Sequence, residues 1–185
     1  YATFMAKPME NQPGSSMHIH QSLYSLKTKK NIFFDKKNTI SKIMKYYIGG
    51  LQEFTPKLMP IHAPNVNSYR RLFATWDAPR NTKWGIGNRS CGFRIPSIEE
   101  RSMRIENRIC GSDTNPYLII AANLAAGYLG IKNKIICSEE TKKSTFNDKK
   151  SSLPKNIEEA IMLFEKNDEI NKIFGQRFVR TISAI

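Results

Sequence analysis

Apolar positions recur with a helical period in some stretches of the chain and with a period of two in others. Ile40, Ile43, Met44, Tyr47, Ile48 and Leu51 fall three and four apart, which predicts a helix over 39–55 with Pro56 just past its end. Gly49-Gly50 weakens the last turn of that helix on sequence grounds. A second helix is predicted from Asn115 as N-cap and Pro116 at the first helical position through Leu129. Its residues are small or apolar on nearly every side, which predicts a central place in the fold. Asn156 and Glu159 form a capping-box pair ahead of Ile157, Ala160, Ile161 and Phe164, and a last helix is predicted over 174–185.

Strand signals are fewer and sharper. Over 103–110 the alternation is strict, with Met103, Ile105, Asn107 and Ile109 on one face and Arg104, Glu106 and Arg108 on the other. Residues 16–24 read as a strand that sets Met17 and Ile19 against His18, His20 and Ser22. A further strand is predicted over 2–6, joined to it by the turn-rich segment 10–16. Between 60 and 100 the density of Pro, Asn, Arg, Gly and Trp shows little helical period and predicts short strands with long functional loops. The mixture reads as an α+β fold without internal repeats.

Composition changes this picture in two respects. The 185 residues hold 29 Lys and Arg against 16 Asp and Glu, a net charge of +13, which favours polyanionic partners. Much of the excess is lysine at 27–30, 36–37, 132–134, 142–143 and 149–150, in Asn- and Ile-rich stretches that read as solvated loops. Cys91, Cys110 and Cys137 are too far apart for metal or redox spacing and odd in number, which points to a reducing, cytoplasmic setting. Neither a signal-peptide pattern nor an apolar run long enough to span a membrane is visible, so no membrane partner is expected. The sequence opens without Met, directly into the strand-like Ala2-Thr3-Phe4-Met5, and reads as a fragment.

The chemistry-bearing groups lie on the two alternating segments and in the loops between them. Two imidazoles and a hydroxyl on one strand face suit a metal-nucleotide site, since neutral imidazole ligates borderline metals and hydrogen-bonds phosphate. Glu106, flanked by Arg104 and Arg108 on a face whose reverse is apolar, is set to stay ionised and to bind a divalent ion in a wet cleft. The alternatives are half-exposed strand histidines and a surface of weak ion pairs. Arg70, Arg71, Arg89 and Arg94 sit among Asn, Gly and Ser rather than on a polar helix face, as in anion-binding loops. Trp76, Trp84 and Tyr69 keep a single-strand nucleic-acid reading open at this point.

Taken in order, Ala2-Thr-Phe-Met-Ala-Lys-Pro8, Gly14-Ser-Ser-Met-His18-Ile-His20-Gln-Ser22, Asn67-Ser-Tyr-Arg-Arg71, Asn88-Arg89-Ser, Phe93-Arg94-Ile-Pro96, Arg104-Ile-Glu106-Asn-Arg108 and Asn115-Pro-Tyr-Leu118 resemble the catalytic domain of glutamine synthetase. The resemblance runs almost end to end and displaces the nucleic-acid reading. It implies an antiparallel active-site sheet flanked by helices, and a ligase in which ATP phosphorylates the γ-carboxylate of glutamate before an amine displaces phosphate. It implies two divalent ions, Mg2+ or Mn2+, with His18 and Glu106 as ligands of one of them. His20, Ser22, Arg94 and Arg104 correspond to ATP-binding positions, Arg101 more weakly to a nucleotide-contacting lysine, and Gly14, Arg71 and Arg108 to glutamate-binding positions. Arg89 and Asp77 correspond to catalytic positions.

By the same resemblance, residues 1–185 are the C-terminal portion of such a domain, with the N-terminal domain, the first half of the catalytic domain and its metal-binding glutamates absent. The full-length protein is then expected to be a homo-oligomer with active sites between subunits, and the fragment alone to be inactive. The pattern departs from the family at Pro13-Gly14-Ser15-Ser16, where Asn-Gly-Ser-Gly is usual, and at Trp76-Asp77-Ala78-Pro79, where a flap glutamate is usual. Both changes sit by the acceptor-amine pocket, and the motifs are similar to the γ-glutamylpolyamine (γ-glutamylputrescine) synthetase branch, which implies an alkylamine or polyamine acceptor. Segment 149–152 has no tyrosine for the adenylylation known in some members. The competing readings are an ordinary ammonia-using glutamine synthetase and a nonenzymatic nucleotide-binding or assembly relative.

Overall fold

The computed structural model describes residues 1–37, 39–74, 78–148 and 150–184. Two sheets and seven α-helices form among them. The larger sheet has the order β1-β6-β5-β4, from Ile19–Gln21 (β1), Trp84–Ile86 (β4), Phe93–Ile95 (β5) and Ile105–Asn107 (β6). The pairings that bear the candidate chemistry, β1 with β6 and β6 with β5, are antiparallel as expected, while β4 joins β5 in parallel. A small hairpin pairs Phe34–Asp35 (β2) with Thr39–Ile40 (β3).

Behind the large sheet stand α1 (Lys42–Phe54) and α4 (Pro116–Lys132). Helix α1 starts after the predicted boundary because Thr39 and Ile40 are in β3 and Ser41 is the N-cap, accepting from the Met44 amide. Its Gly49-Gly50 pair is helical: a Cβ on Gly50 would sit 2.1 Å from the Ala126 carbonyl oxygen of α4, and one on Gly49 2.1 Å from the Ile135 carbonyl oxygen just beyond it. A 3-10 turn (Thr55–Leu58) leads to the short α2 (Met59–His62), which is followed by α3 (Val66–Ala74). Segment 60–100 thus holds a helix where a loop was expected, since the buried Ser68, Tyr69, Arg71 and Leu72 supply an inner face that apolar periodicity alone does not register. No strand forms over 2–6; the segment is held by single bonds, the Ser15 amide donating to the Ala6 carbonyl and the Ser112 hydroxyl to that of Phe4.

Asn115 caps α4 as predicted, its side chain accepting from the Tyr117 and Leu118 amides. The helix is not central on every side. Tyr117, Ile120, Leu124 and Tyr128 line up on an exposed face, at 83%, 48%, 47% and 55% exposure. The Asn156 cap of α5 (Ile157–Glu165) accepts from Glu159, which reaches back to the Lys155 amide. The predicted last helix is α7 (Gln176–Ser183); α6 (Asp168–Phe174), not predicted from the sequence, precedes it, and Gly175, with a φ of 83°, separates the two. The lysines of the five basic stretches are exposed where described, the three cysteines are free, and no helix among the described residues is long and apolar enough to cross a membrane.

Candidate active site

The register of the sheet assembles the site. Glu106 on β6 lies opposite His20 on β1 and opposite Arg94 on β5, so one row across three strands points a carboxylate, an imidazole and a guanidinium to the same face. The reverse face is the core, where Phe93, Ile95, Ile105 and Asn107 are all buried. Met17 and Ile19 pack toward it while His18, His20 and Ser22 stay exposed. The period-two reading of both segments therefore holds.

Glu106 is the hub. Its Oε1 lies 3.0 Å from His18 Nδ1, 2.9 Å from Arg108 Nη1 and 3.8 Å from His20 Nε2, and its Oε2 lies 2.9 Å from Arg94 Nη1. The side chain is only 4% exposed. Burial pushes its pKa up, but hydrogen bonds from His18 and Arg94 and the charge of Arg108 outweigh that and bring it down to about 2. It is an anion throughout the physiological range. His18 Nε2 is 3.0 Å from the Ser16 hydroxyl, which fixes the ring from behind. Arg104 Nε donates to His20 Nδ1 at 3.0 Å; burial first, and then the nearby cations, lower the His20 pKa against the pull of Glu106.

Cis ligands of a small divalent ion lie about 3 Å apart. The His18–Glu106 separation meets that condition, and an ion there would replace the proton they share. The two residues fit a divalent ion as a pair of ligands. Among the described residues, no group of three or more His, Cys, Asp or Glu is arranged to hold one. His18, His20 and Ser22 also line a recess of about 450 Å³ whose other wall is Ile120 and Leu124 of the exposed α4 face. On β5, across Glu106 from His20, Arg94 Nε is buried without a hydrogen-bond partner among the described residues.

The remaining expected residues divide between the site and its frame. Arg108 faces Glu106 and donates from Nε to the Arg89 carbonyl at 3.1 Å. Arg71 is 4% exposed and holds the backbone, Nη1 on the Ile109 carbonyl at 2.8 Å and Nη2 on that of Arg108 at 3.2 Å. Gly14 presses on Arg71, where a Cβ would come within 2.7 Å of its Cγ. The exposed Arg89 reaches the group through its backbone, and Arg101 is exposed, with its carbonyl accepting from Tyr24. Asp77 and Trp76 lie outside the described residues. Sequence reading passed over His62, Asn123, Gln21 and Tyr47, which form a polar layer under the sheet with Asn107.

Comparison with known proteins bears on this arrangement as a whole. The family model of the glutamine synthetase catalytic domain matches residues 1–185. A γ-glutamylputrescine synthetase of Escherichia coli K12 is 35% identical over 100% of this chain and 39% of its own length. A glutamate–isopropylamine ligase of a Pseudomonas species is 34% identical over 96% of the chain and 40% of its own length. A glutamine synthetase of Methanosarcina mazei is 40% identical over 97% of the chain and 40% of its own length. The chain thus spans about two fifths of these relatives.

Proposed function

The chain belongs to the glutamine synthetase family through its catalytic domain, and on that premise we propose that the protein acts in an ATP-dependent glutamate ligase. The observation that carries the reading is the row His20–Glu106–Arg94 with His18 and Arg108 closing on the same carboxylate. It joins half a metal site to a guanidinium cluster, which is what transfer of a γ-phosphoryl group to a carboxylate needs. A divalent ion, Mg2+ or Mn2+, supplies charge neutralisation at the transferred phosphoryl group when bound. His18 and Glu106 hold it, Arg94 and Arg104 meet nucleotide oxygens beside His20 and Ser22, and Arg108 meets glutamate. Arg71 acts through the Arg108 backbone, with Gly14 leaving room for it. Arg89 and Arg101 extend the cationic rim toward solvent. The remaining ligands, the other subunits and the second ion belong to the longer protein that the relatives' lengths suggest.

For the acceptor we propose a primary alkylamine or polyamine. Asp77 is one methylene shorter than the family's usual glutamate, Trp76 precedes it in the sequence with a flat apolar side chain, and Pro13 replaces an amide. An alkylamine favours apolar side chains for its methylenes and excludes water by its own bulk. The relatives named for putrescine and isopropylamine support this, and the 40% identical glutamine synthetase supports ammonia. A phosphate-release assay on the full-length protein decides between them, with glutamate, ATP and either ammonium, isopropylamine or putrescine. Higher kcat/KM with an alkylamine is expected; higher kcat/KM with ammonium restores ordinary glutamine synthesis, and no amine-dependent release removes the ligase reading.

A further inference from the structure

On the reverse face of the sheet, directly under the site, runs a chain of five polar side chains. His62, at the end of α2, is 1% exposed. Its Nδ1 lies 3.0 Å from the Leu58 carbonyl and its Nε2 3.3 Å from Asn107 Nδ2. A carbonyl only accepts, so Nδ1 carries the hydrogen and Nε2 presents a lone pair. A second contact orients Asn107 the same way: its Oδ1 accepts the Ile109 amide at 2.9 Å, which leaves Nδ2 to His62 and to Asn123 Oδ1 at 2.8 Å. Asn123 Nδ2 donates to the Ile119 carbonyl at 2.7 Å, so its Oδ1 is the acceptor for Asn107 and also for Gln21 Nε2 at 3.2 Å. Gln21 Oε1 in turn accepts from the Tyr47 hydroxyl at 2.5 Å.

Backbone groups of Leu58, Ile109 and Ile119 thus fix the polarity of the network. One oxygen, Asn123 Oδ1, receives a donor from β1 and a donor from β6. Gln21 directly follows His20, and Asn107 directly follows Glu106. The clamp therefore grips the two strands one residue away from the row that makes the site.

We propose that His62 is a positioning residue for the site, holding Asn107 in the orientation that reaches Asn123 and so setting Glu106 against His18 at a metal-binding separation. The inference rests on the reading of His18 and Glu106 as ligands. An apolar side chain in place of His62 fills the space but leaves an Asn107 N–H unpaired in a dry interior, at a cost that turning the amide or displacing β6 relieves. A glutamine there restores an acceptor without an imidazole.

The test uses the 185-residue chain with Mn2+ as probe. His62→Leu is expected to weaken Mn2+ binding about tenfold, the scale on which outer partners of metal ligands act. In metal-free protein it should speed amide exchange in 19–21 and 105–107, and His62→Gln should bring both readouts back toward the original. The ring nitrogens of His62, followed by NMR in the unsubstituted chain, should show Nδ1 protonated and Nε2 bare, a readout that needs no variant to fold. A protonated Nε2, a His62→Leu protein with unchanged binding and exchange, or a His62→Gln protein no better than His62→Leu would each overturn the proposal. Mn2+ binding that is absent from the start, indistinguishable from that of Glu106→Gln, removes the metal reading instead. The clamp then stands or falls on exchange and ring-nitrogen spectra.

Discussion

Glu106 sits between cations that it neutralises and a ring that it orients, so its removal has separable effects. In Glu106→Gln the amide keeps the shape but leaves Arg94 and Arg108, at 20% and 12% side-chain exposure, without their counter-charge. We expect a stability loss of about 3 kcal/mol in denaturant unfolding, with loss of Mn2+ binding by calorimetry. His62 gives the pH-dependent counterpart. Burial lowers its pKa from 6.5 to about 4 in the folded chain, so folding favours the neutral ring. Its contribution is fully present above pH 6.5 and is lost as pH falls from there toward 4, by an amount on the order of 3 kcal/mol. His62→Gln should therefore flatten the stability profile between pH 7 and 4 relative to the original chain, as read from denaturant midpoints. At this scale the sequence revealed what alternation sorts: His18, His20, Glu106 and Arg108 stand on the polar side of two period-two segments. Asn107 and Asn123 were readable only as polar letters on apolar faces, and a lone polar residue is written the same way whether it meets solvent or a buried partner.

Between elements, the crossing of α1 and α4 decides how the sheet is backed. Gly50 and Gly130 let the helix backbones meet, since a Cβ on Gly130 would lie 2.2 Å from the Tyr46 carbonyl oxygen and one on Gly50 2.1 Å from that of Ala126. Both obstacles are backbone, which has no rotamer to yield. Gly50→Ala should improve helix propensity and yet destabilise the chain by about 3 kcal/mol, seen as a lower melting temperature in circular dichroism. Local signals described the helices well where a cap marks the start, as at Asn115 and Asn156, because cap and first turn are contiguous in sequence. They misjudged Gly49-Gly50, whose purpose is a contact with residues far along the chain. Helix α3 was missed for a related reason: its buried face includes Ser68 and Arg71, satisfied by Asp113 and by the carbonyls of Arg108 and Ile109. Only tertiary partners make such residues interior ones.

The whole chain presents a site open on one side. The recess beside His18, His20 and Ser22 is bounded by Ile120 and Leu124, which belong to an exposed apolar face rather than to a closed wall. An acyl phosphate must be shielded from water long enough for an amine to reach it, and an open recess leaves it to hydrolysis or prevents its formation. The metal is a second constraint. His18 and Glu106 supply two donors, whereas a small divalent ion in a phosphoryl-transfer site needs further ligands from protein, phosphate or water. The charge points the same way, since a net +13 favours polyanionic partners. We therefore expect the 185-residue chain by itself to bind Mn2+ measurably but to release no phosphate from ATP in response to glutamate and an amine. Coupled phosphate detection checks this directly. Glutamate- and amine-dependent release by the chain alone would show that these strands close a working site unaided, and that the exposed face of α4 plays no part in shielding the intermediate.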